Sequence, residues 1–309
     1  MKYGHHIREF EREMNAHRPS FPQGAWLAYK PLKKQLKQVA TLKANGVLEE
    51  AHVEALFEAL CESVNLVVKS FRDEAMRVLS RPEKGRMQER LFCISNQRSL
   101  LEHGIISKQL RLFAVANAVG LRKFMKKIAK VCPDHDRFEH LSSALRSHAM
   151  QLHSPLIMEL WAIETRAARV SAPENTVEFL DKMEEKLGDS GFDFGPIKRD
   201  IDLGLAPSCH ICFEALHSPV GLACGHYFCK QCLLQVANLP PFCKVTEASH
   251  GTRCPQCREI GAFSQAVKLK QFNRLILDSE KKENRNARLL QSKQAKVEHQ
   301  LRMLKRLSS

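Results

Sequence analysis

Between positions 209 and 257 the chain reads Cys209-x-x-Cys212, Cys224-x-His226, Cys229-x-x-Cys232 and Cys254-x-x-Cys257. This register constrains the fold more than any other feature. Two residues between paired cysteines let both sulfurs turn back onto one ion. Zn2+ takes four tetrahedral ligands, at about 2.3 Å from sulfur and about 2.0–2.1 Å from nitrogen. The four pairs therefore supply two closed sites with every position filled by protein, so the metals are structural and no zinc-activated water is expected. Spacing alone does not assign which pairs share an ion. Eight of the eleven cysteines fall in this stretch. The first residues, Met1-Lys2-Tyr3-Gly4-His5-His6 and a charged run, lack the apolar core of a signal peptide. A soluble intracellular chain is expected, in which clustered cysteines mean metal rather than disulfides. Cys243 and His250 belong to no Cys-x-x-Cys pair and stay outside the ligand set. Cys61, Cys93 and Cys132 lie in helical patterns and read as buried thiols.

At 309 residues there is room for about two domains. Upstream of the cysteines the pattern is helix after helix. Apolar residues at helical spacing run from 25 to 40. Val53, Leu56, Leu60, Val64, Val67, Val68 and Phe71 mark one face of a longer helix over 49–79, stopped by Arg81-Pro82. A second long helix is expected over 87–131, ended by Pro133, and another over 138–152. Ser154-Pro155 reads as an N-cap followed by proline at the first helical position, leading into Leu156, Ile157, Leu160, Trp161 and Ile163. Residues 171–205, with a short amphipathic piece at 177–187 and then Gly188, Gly191 and Gly195, read as a linker. The expected class is mainly α: a bundle of long helices over 1–170, a small two-zinc α+β module over 206–262, and a basic C-terminal helix over 263–309.

The order and spacing of the zinc ligands resemble the RING finger. That resemblance implies interleaved wiring, with Cys209, Cys212, Cys229 and Cys232 on one zinc and Cys224, His226, Cys254 and Cys257 on the other. It also implies a shallow apolar groove for a ubiquitin-conjugating enzyme, formed by Ile211, Val236 and Pro255. Val236 is smaller than the residue the family usually carries there. Arg258, directly after the last ligand, matches the family position that hydrogen-bonds both the conjugating enzyme and ubiquitin and holds the thioester conjugate closed; a planar fork of five donors suits that work. No protein nucleophile or general base is implied, so no residue is catalytic in the strict sense. The ligase contributes proximity and orientation.

The net charge of +14 predicts an anionic partner. Two clusters give it geometry. Tyr29 and Lys33 are four apart, with Lys30 and Lys34 beside them, and share a helix face. Lys123, Lys126, Lys127 and Lys130 stand at i, i+3, i+4 and i+7, again one face. Two such faces repel unless a polyanion sits between them. Met1-Lys2-Tyr3-Gly4, the Tyr29-Lys30-Pro31-Leu32-Lys33-Lys34 string and Asn117-x-x-Gly120-Leu121-Arg122-Lys123-x-x-Lys126-Lys127-x-x-Lys130 together resemble the SPX domain, whose members bind inositol polyphosphates and pyrophosphates as reporters of phosphate status. The resemblance covers about the first 170 residues. It implies a central phosphate site of Tyr29, Lys33 and Lys127, a surrounding surface of Lys123, Lys126 and Lys130, and a contribution from Lys2. The family usually has Lys at the fifth position, where this chain has His5, mostly neutral near pH 7.

SPX followed by RING resembles the plant nitrogen-limitation-adaptation family of ubiquitin ligases, as do Ala116-Asn117-Ala118-Val119, Ser154-Pro155 leading into Glu159-Leu160, and the stretch 261–277. The resemblance implies a conjugating enzyme, ubiquitin and a protein substrate as partners, with membrane anion transporters as the substrate class. An adaptor that binds an inositol phosphate and a partner without transferring ubiquitin is the alternative. Ile211, Pro255 and Arg258 favour the enzyme. A nucleic-acid binder fits poorly: aromatic content is 7% and the paired histidines of a classical finger are absent. From Lys268 to Ser309 twelve Lys or Arg face four Asp or Glu. This tail reads as a homodimerising helix, as a basic surface for acidic lipid or ubiquitin, or as a solvated helix. No apolar run reaches the ~18 residues of a membrane span, so the expected location is cytoplasmic, with any membrane contact peripheral; a nuclear location also fits.

Overall fold

A computed structural model describes residues 9–14, 26–80, 93–132, 155–169, 178–187, 201, 207–279 and scattered positions from 281 to 294. Lys2, His5, Ser154, the helix expected over 138–152 and the tail beyond 294 lie outside the described residues.

The bundle is built from α1 (Tyr29–Ala44), α2 (Glu50–Ser80), α3 (Cys93–Val131) and α4 (Pro155–Ala168). All seven apolar positions marked on α2 are buried, joined by Phe57, Ala75 and Val78. The middle of α3 is different. Every residue from 109 to 118 is buried, which makes it the central rod of the bundle rather than an amphipathic flank. Close approach to α4 depends on Gly104, where a Cβ would come within 2.3 Å of the Ala167 Cβ. A shorter helix, α5 (Glu178–Leu187), lays Leu180 and Met183 into the same core. Its charged side is tied to α3 by Arg111, whose guanidinium bonds Glu164 at 2.8 and 3.0 Å and Glu184 at 2.6 Å, and by Lys108 on Asp181 at 2.6 Å. Burial works against the Arg111 charge, but Glu164 and Glu184 outweigh it and hold the group protonated.

The second unit is small. Strands β1 (Pro219–Gly221), β2 (Tyr227–Cys229) and β3 (Val267–Lys268) form an antiparallel sheet in the order β2-β1-β3. Val220 stands opposite Phe228 on one side and Lys268 on the other. Helix α6 (Lys230–Val236) follows β2 directly, and helix α7 (270–279) leaves the module after β3.

The sequence boundary near residue 170 does not separate the two cores. Leu156, Ile157 and Leu160 of α4 belong to the bundle core, whereas Met158, Trp161 and Ala162 belong to the core of the zinc module with Phe228, Phe263 and Phe272. Helix α4 is therefore a shared wall. Between its two apolar faces sits Glu159, 3% exposed. Its carboxylate accepts the backbone N–H groups of Gln271 (2.9 Å) and Phe272 (3.0 Å), the first free donors of α7. The helix that leaves the module is thus N-capped from a distance of 112 residues in sequence. A capping carboxylate satisfies donors that have no partner within the helix and interacts favourably with the helix dipole.

Burial pushes the Glu159 carboxyl up to about 7, against the opposing pull of the Gln271, Phe272 and Lys270 N–H groups and of Arg274. A carboxyl raised from 4.5 in this way adds stability that is complete below pH 4.5 and is lost as pH rises through about 7. We expect denaturant stability to fall on the order of 2–3 kcal/mol between pH 4.5 and 8 from this group. Glu159→Gln, which keeps an oxygen at the Oε1 position, should remove that slope; an unchanged pH profile would disprove the assignment.

Candidate functional site: two zinc quartets and a lysine face

The chain turns twice through the same knuckle. In the first, the Phe213 N–H donates to the Cys209 carbonyl at 2.8 Å and the Cys209 N–H to the Glu214 carbonyl at 2.8 Å. In the second, the Arg258 N–H donates to the Cys254 carbonyl at 2.9 Å and the Cys254 N–H to the Glu259 carbonyl at 3.0 Å. Each knuckle is closed by a two-residue bridge, Ser208 with Ala215 and Arg253 with Ile260. To complete the turn, the residue after the second cysteine adopts a left-handed backbone, φ 59° at Phe213 and 61° at Arg258. Non-glycine residues occupy this region at a cost, and it persists where surrounding structure enforces it. Both side chains are therefore thrown outward, Phe213 being 80% exposed.

These turns gather the eight ligand side chains into two groups. Cys209, Cys212, Cys229 and Cys232 form one; Cys224, His226, Cys254 and Cys257 form the other. Within each group the donor atoms all lie within 4.8 Å of one another. Four sulfurs at about 2.3 Å from a tetrahedral centre stand about 3.8 Å apart, and the Cys254 Sγ to His226 Nδ1 separation is 3.6 Å. Successive pairs along the chain alternate between the groups. Cys243 and His250 lie in neither.

The electrostatics fit a cation. Cys209 is drawn down to about 7: burial opposes ionisation, but N–H groups of Cys229, Cys212 and Ile211 overcome it. Its neighbours move the other way. Burial, a hydrogen bond to Cys212 and the charge of Cys209 push Cys232 up to about 12, and burial with the charge of Cys209 pushes Cys229 up to about 11. In the second group the Cys224 hydrogen bond, acting against burial and helped by His226, draws Cys254 down to about 3, while Cys224 is raised by its bond to Cys254 and by burial. Thiolates this close repel, and a divalent ion removes the conflict. The donor set, three or four thiolates with at most one imidazole and no carboxylate, suits structural zinc.

Around the quartets, Ile211 is half-buried, Val236 is 41% exposed, and Pro255 and Arg258 are exposed. Sequence reasoning passed over Phe213. Its signal was its place in the Cys209-x-x-Cys212 knuckle, one residue past the second ligand, where Arg258 stands in the other. Of the remaining cysteines, Cys132 is buried and Cys61 half-buried; the side chain of Cys93 lies outside the described residues.

At the other end of the bundle, the start of α1 is fixed by α2 and α3. The Leu27 N–H donates to Asn117 Oδ1 at 2.9 Å, Asn117 Nδ2 donates to the Phe113 carbonyl at 2.8 Å, and the Ala28 N–H donates to Ser63 Oγ at 2.9 Å. Tyr29 is thereby seated with its ring edge-on to Phe124, centroids 5.9 Å apart. Lys127 Nζ lies over the Tyr29 ring, 5.2 Å from its centroid. So Tyr29 of α1 and Lys127 of α3 meet. Lys33, Lys126 and Lys130 are exposed, and Lys123 is half-buried. No carboxylate among the described residues forms an ion pair with Lys33, Lys126, Lys127 or Lys130.

Two interleaved quartets around a three-stranded sheet and a short helix define a RING-type zinc finger, and the family of that description matches residues 209–258. Along most of its length the chain is similar to plant ligases. The protein named "Probable E3 ubiquitin-protein ligase BAH1-like 1" of Oryza sativa subsp. indica is 26% identical over an alignment of 335 positions, covering 95% of this chain and 96% of the relative. "E3 ubiquitin-protein ligase NLA" of Arabidopsis thaliana is 27% identical over 262 positions, covering 77% of each. Over the zinc module alone, "E3 ubiquitin-protein ligase TRIM56" of Mus musculus is 40% identical across 53 residues, 17% of this chain and 6% of the relative. No solved structure matches the chain significantly.

Purified protein should carry two zinc ions per chain by elemental analysis. Cys224→Ala leaves one quartet with three ligands and should bring the count to one or fewer. Two zincs retained in that variant would show that Cys224 is not a ligand.

Proposed function

We infer that this chain is a RING-type ubiquitin transferase whose helical bundle senses an inositol polyphosphate. The first part rests on the interleaved quartets, together with similarity over 95% and 77% of the chain to two proteins named ubiquitin ligases. Zinc, when bound, fixes the two knuckles and supplies no reacting group. The residues around them dock and orient. Ile211, Val236 and Pro255 offer an apolar surface to a ubiquitin-conjugating enzyme, and Arg258 reaches outward with five donors. The amine of a substrate lysine attacks the thioester carbon on the conjugating enzyme, an isopeptide bond forms and the cysteine thiolate leaves. Proximity and a closed thioester conformation account for the acceleration. Membrane anion transporters are the substrate class that the resemblance to the nitrogen-limitation-adaptation family suggests. Among the described residues no helix is long and apolar enough to cross a membrane.

The sensing part is carried by one observation: Tyr29 and Lys127, from different helices, meet at the lysine face. The rest of that face, Lys33, Lys123, Lys126 and Lys130, has the charge and spacing for clustered phosphates, with Lys2 as a further contributor. Exposed Leu289 and Leu290 in the basic tail suit self-association, making a homodimer the proposed assembly.

Incubated with a panel of conjugating enzymes and ubiquitin, the wild type should build chains. Ile211→Ala removes apolar contact worth about 2 kcal/mol and should reduce chain formation more than tenfold, and Cys224→Ala should abolish it. No chains across the panel from protein carrying two zincs would favour the adaptor reading. By calorimetry, Lys123→Ala with Lys127→Ala should weaken inositol hexakisphosphate binding at least about tenfold. Unchanged affinity would remove the lysine face as the site.

A further inference from the structure

The carboxylate of Glu159 has no part in zinc binding, conjugating-enzyme docking or the lysine face, yet it is among the most buried charged groups described. It caps α7 at the point where that helix leaves the zinc module. Further contacts follow the same line. Phe272, fully buried one residue into the capped turn, lies between Trp161 of α4 and Tyr227 of β2, with ring centroids 6.4 and 5.7 Å away. Arg166 bonds Gln271 at 3.2 Å and Asp278 at 3.1 Å, and Arg169, just past α4, bonds Ser279 at 3.0 Å, so the C-terminal end of α4 is tied to both ends of α7. At the start of α4, Gly221 of β1 meets Pro155 so closely that a Cβ there would come within 2.7 Å of the proline ring. At this same corner a cavity of about 150 Å³ is lined by Val68 and Met76 of α2, Pro155 and Leu156 of α4, and Ala223 and Val267 of the module. Among the described residues, the side-chain hydrogen bonds that join bundle to module come from α4 and the residue that follows it.

The other face of α4 packs on α3, which carries Lys123, Lys126, Lys127 and Lys130. A continuous path of packed helices runs from the lysine face through α3 and α4 to the capped end of α7. We propose that Glu159 is a positioning residue that locks the zinc module to the helical bundle, so that the two unfold as one unit and an anion held on the lysine face stabilises the zinc sites. Only the anion half of this statement rests on the sensing function above.

The test follows two signals in the full-length chain during one urea titration: helix content by circular dichroism, and zinc release by a chromogenic chelator. In the wild type the two transitions should coincide. Val64→Ala, in the bundle core and outside the core of the zinc module, should move zinc release to lower urea together with helix loss. In Glu159→Ala the transitions should separate, with zinc release no longer following Val64→Ala; Glu159→Gln, which keeps the Oε1 acceptor, should restore coincidence. Should Glu159→Ala not fold, Gly221→Ala, which wedges the same seam, takes its place with the same expectation. Zinc release indifferent to Val64→Ala in the wild type would overturn the proposal, as would coincident transitions in Glu159→Ala. Inositol hexakisphosphate should shift zinc release to higher urea in the wild type and not in Glu159→Ala, with binding to both measured by calorimetry. Absence of binding would remove the sensing function while the Val64→Ala comparison still decides the joint. Binding without any shift in the wild type would overturn the transmission.

Discussion

A sheet whose strands are three, three and two residues long cannot organise the stretch 209–258 by its ladder alone; even a two-stranded hairpin of ordinary length is marginal in water. What stands in for it is tetrahedral coordination. Each quartet ties together two distant pairs of ligands. Cys209 and Cys212 close on Cys229 and Cys232, while Cys224 and His226 close on Cys254 and Cys257. Because the pairs interleave, neither site can close without arranging the segment that holds the other. The knuckles follow from this. In the knuckles that open on Cys209 and Cys254 the residue after the second cysteine takes the left-handed region, and Phe213 and Arg258 leave the surface where that backbone sends them; the third pair, Cys229 and Cys232, meets its group from the start of α6 instead. The exposed surface at the knuckles is thus a by-product of metal geometry, produced by residues that lie in neither quartet.

The eight residues that gather into the two quartets were legible in the chain because coordination chemistry writes itself into spacing. The helices were legible for a similar reason: periodic burial leaves a periodic sequence, and all seven apolar residues marked on α2 are inside. The pairing of Tyr29 with Lys127 was less so. Spacing places each on a helix face, but their meeting depends on Asn117, which reaches across ninety residues to hold the backbone of Leu27. A long-range hydrogen bond of that kind has no period to read.

The double role of helix α4 was not legible, for a physical reason. A helix of the sequence PLIMELWAIETRAA shows apolar residues nearly all round, which reads as deep burial within one domain. Burial between two cores produces the same pattern. Glu159 interrupts the apolar stretch from Leu156 to Ile163, and nothing in the local sequence says what its carboxylate meets. Its charge is matched to the dipole and free N–H groups of α7, an element more than a hundred residues away that no local signal connects to it.

Burying a carboxylate is costly, and the rise of Glu159 to about 7 shows that the cap does not fully offset that cost. An apolar residue at this position would remove the penalty and leave the first N–H groups of α7 without this acceptor. Apolar surfaces such as those of Trp161 and Phe272 supply attraction without direction. A carboxylate meeting two N–H groups at 2.9 and 3.0 Å supplies direction. On this account the penalty at Glu159 is the energetic counterpart of a single fixed orientation between bundle and zinc module, and orientation is what a protein that acts by positioning another enzyme's thioester has to supply.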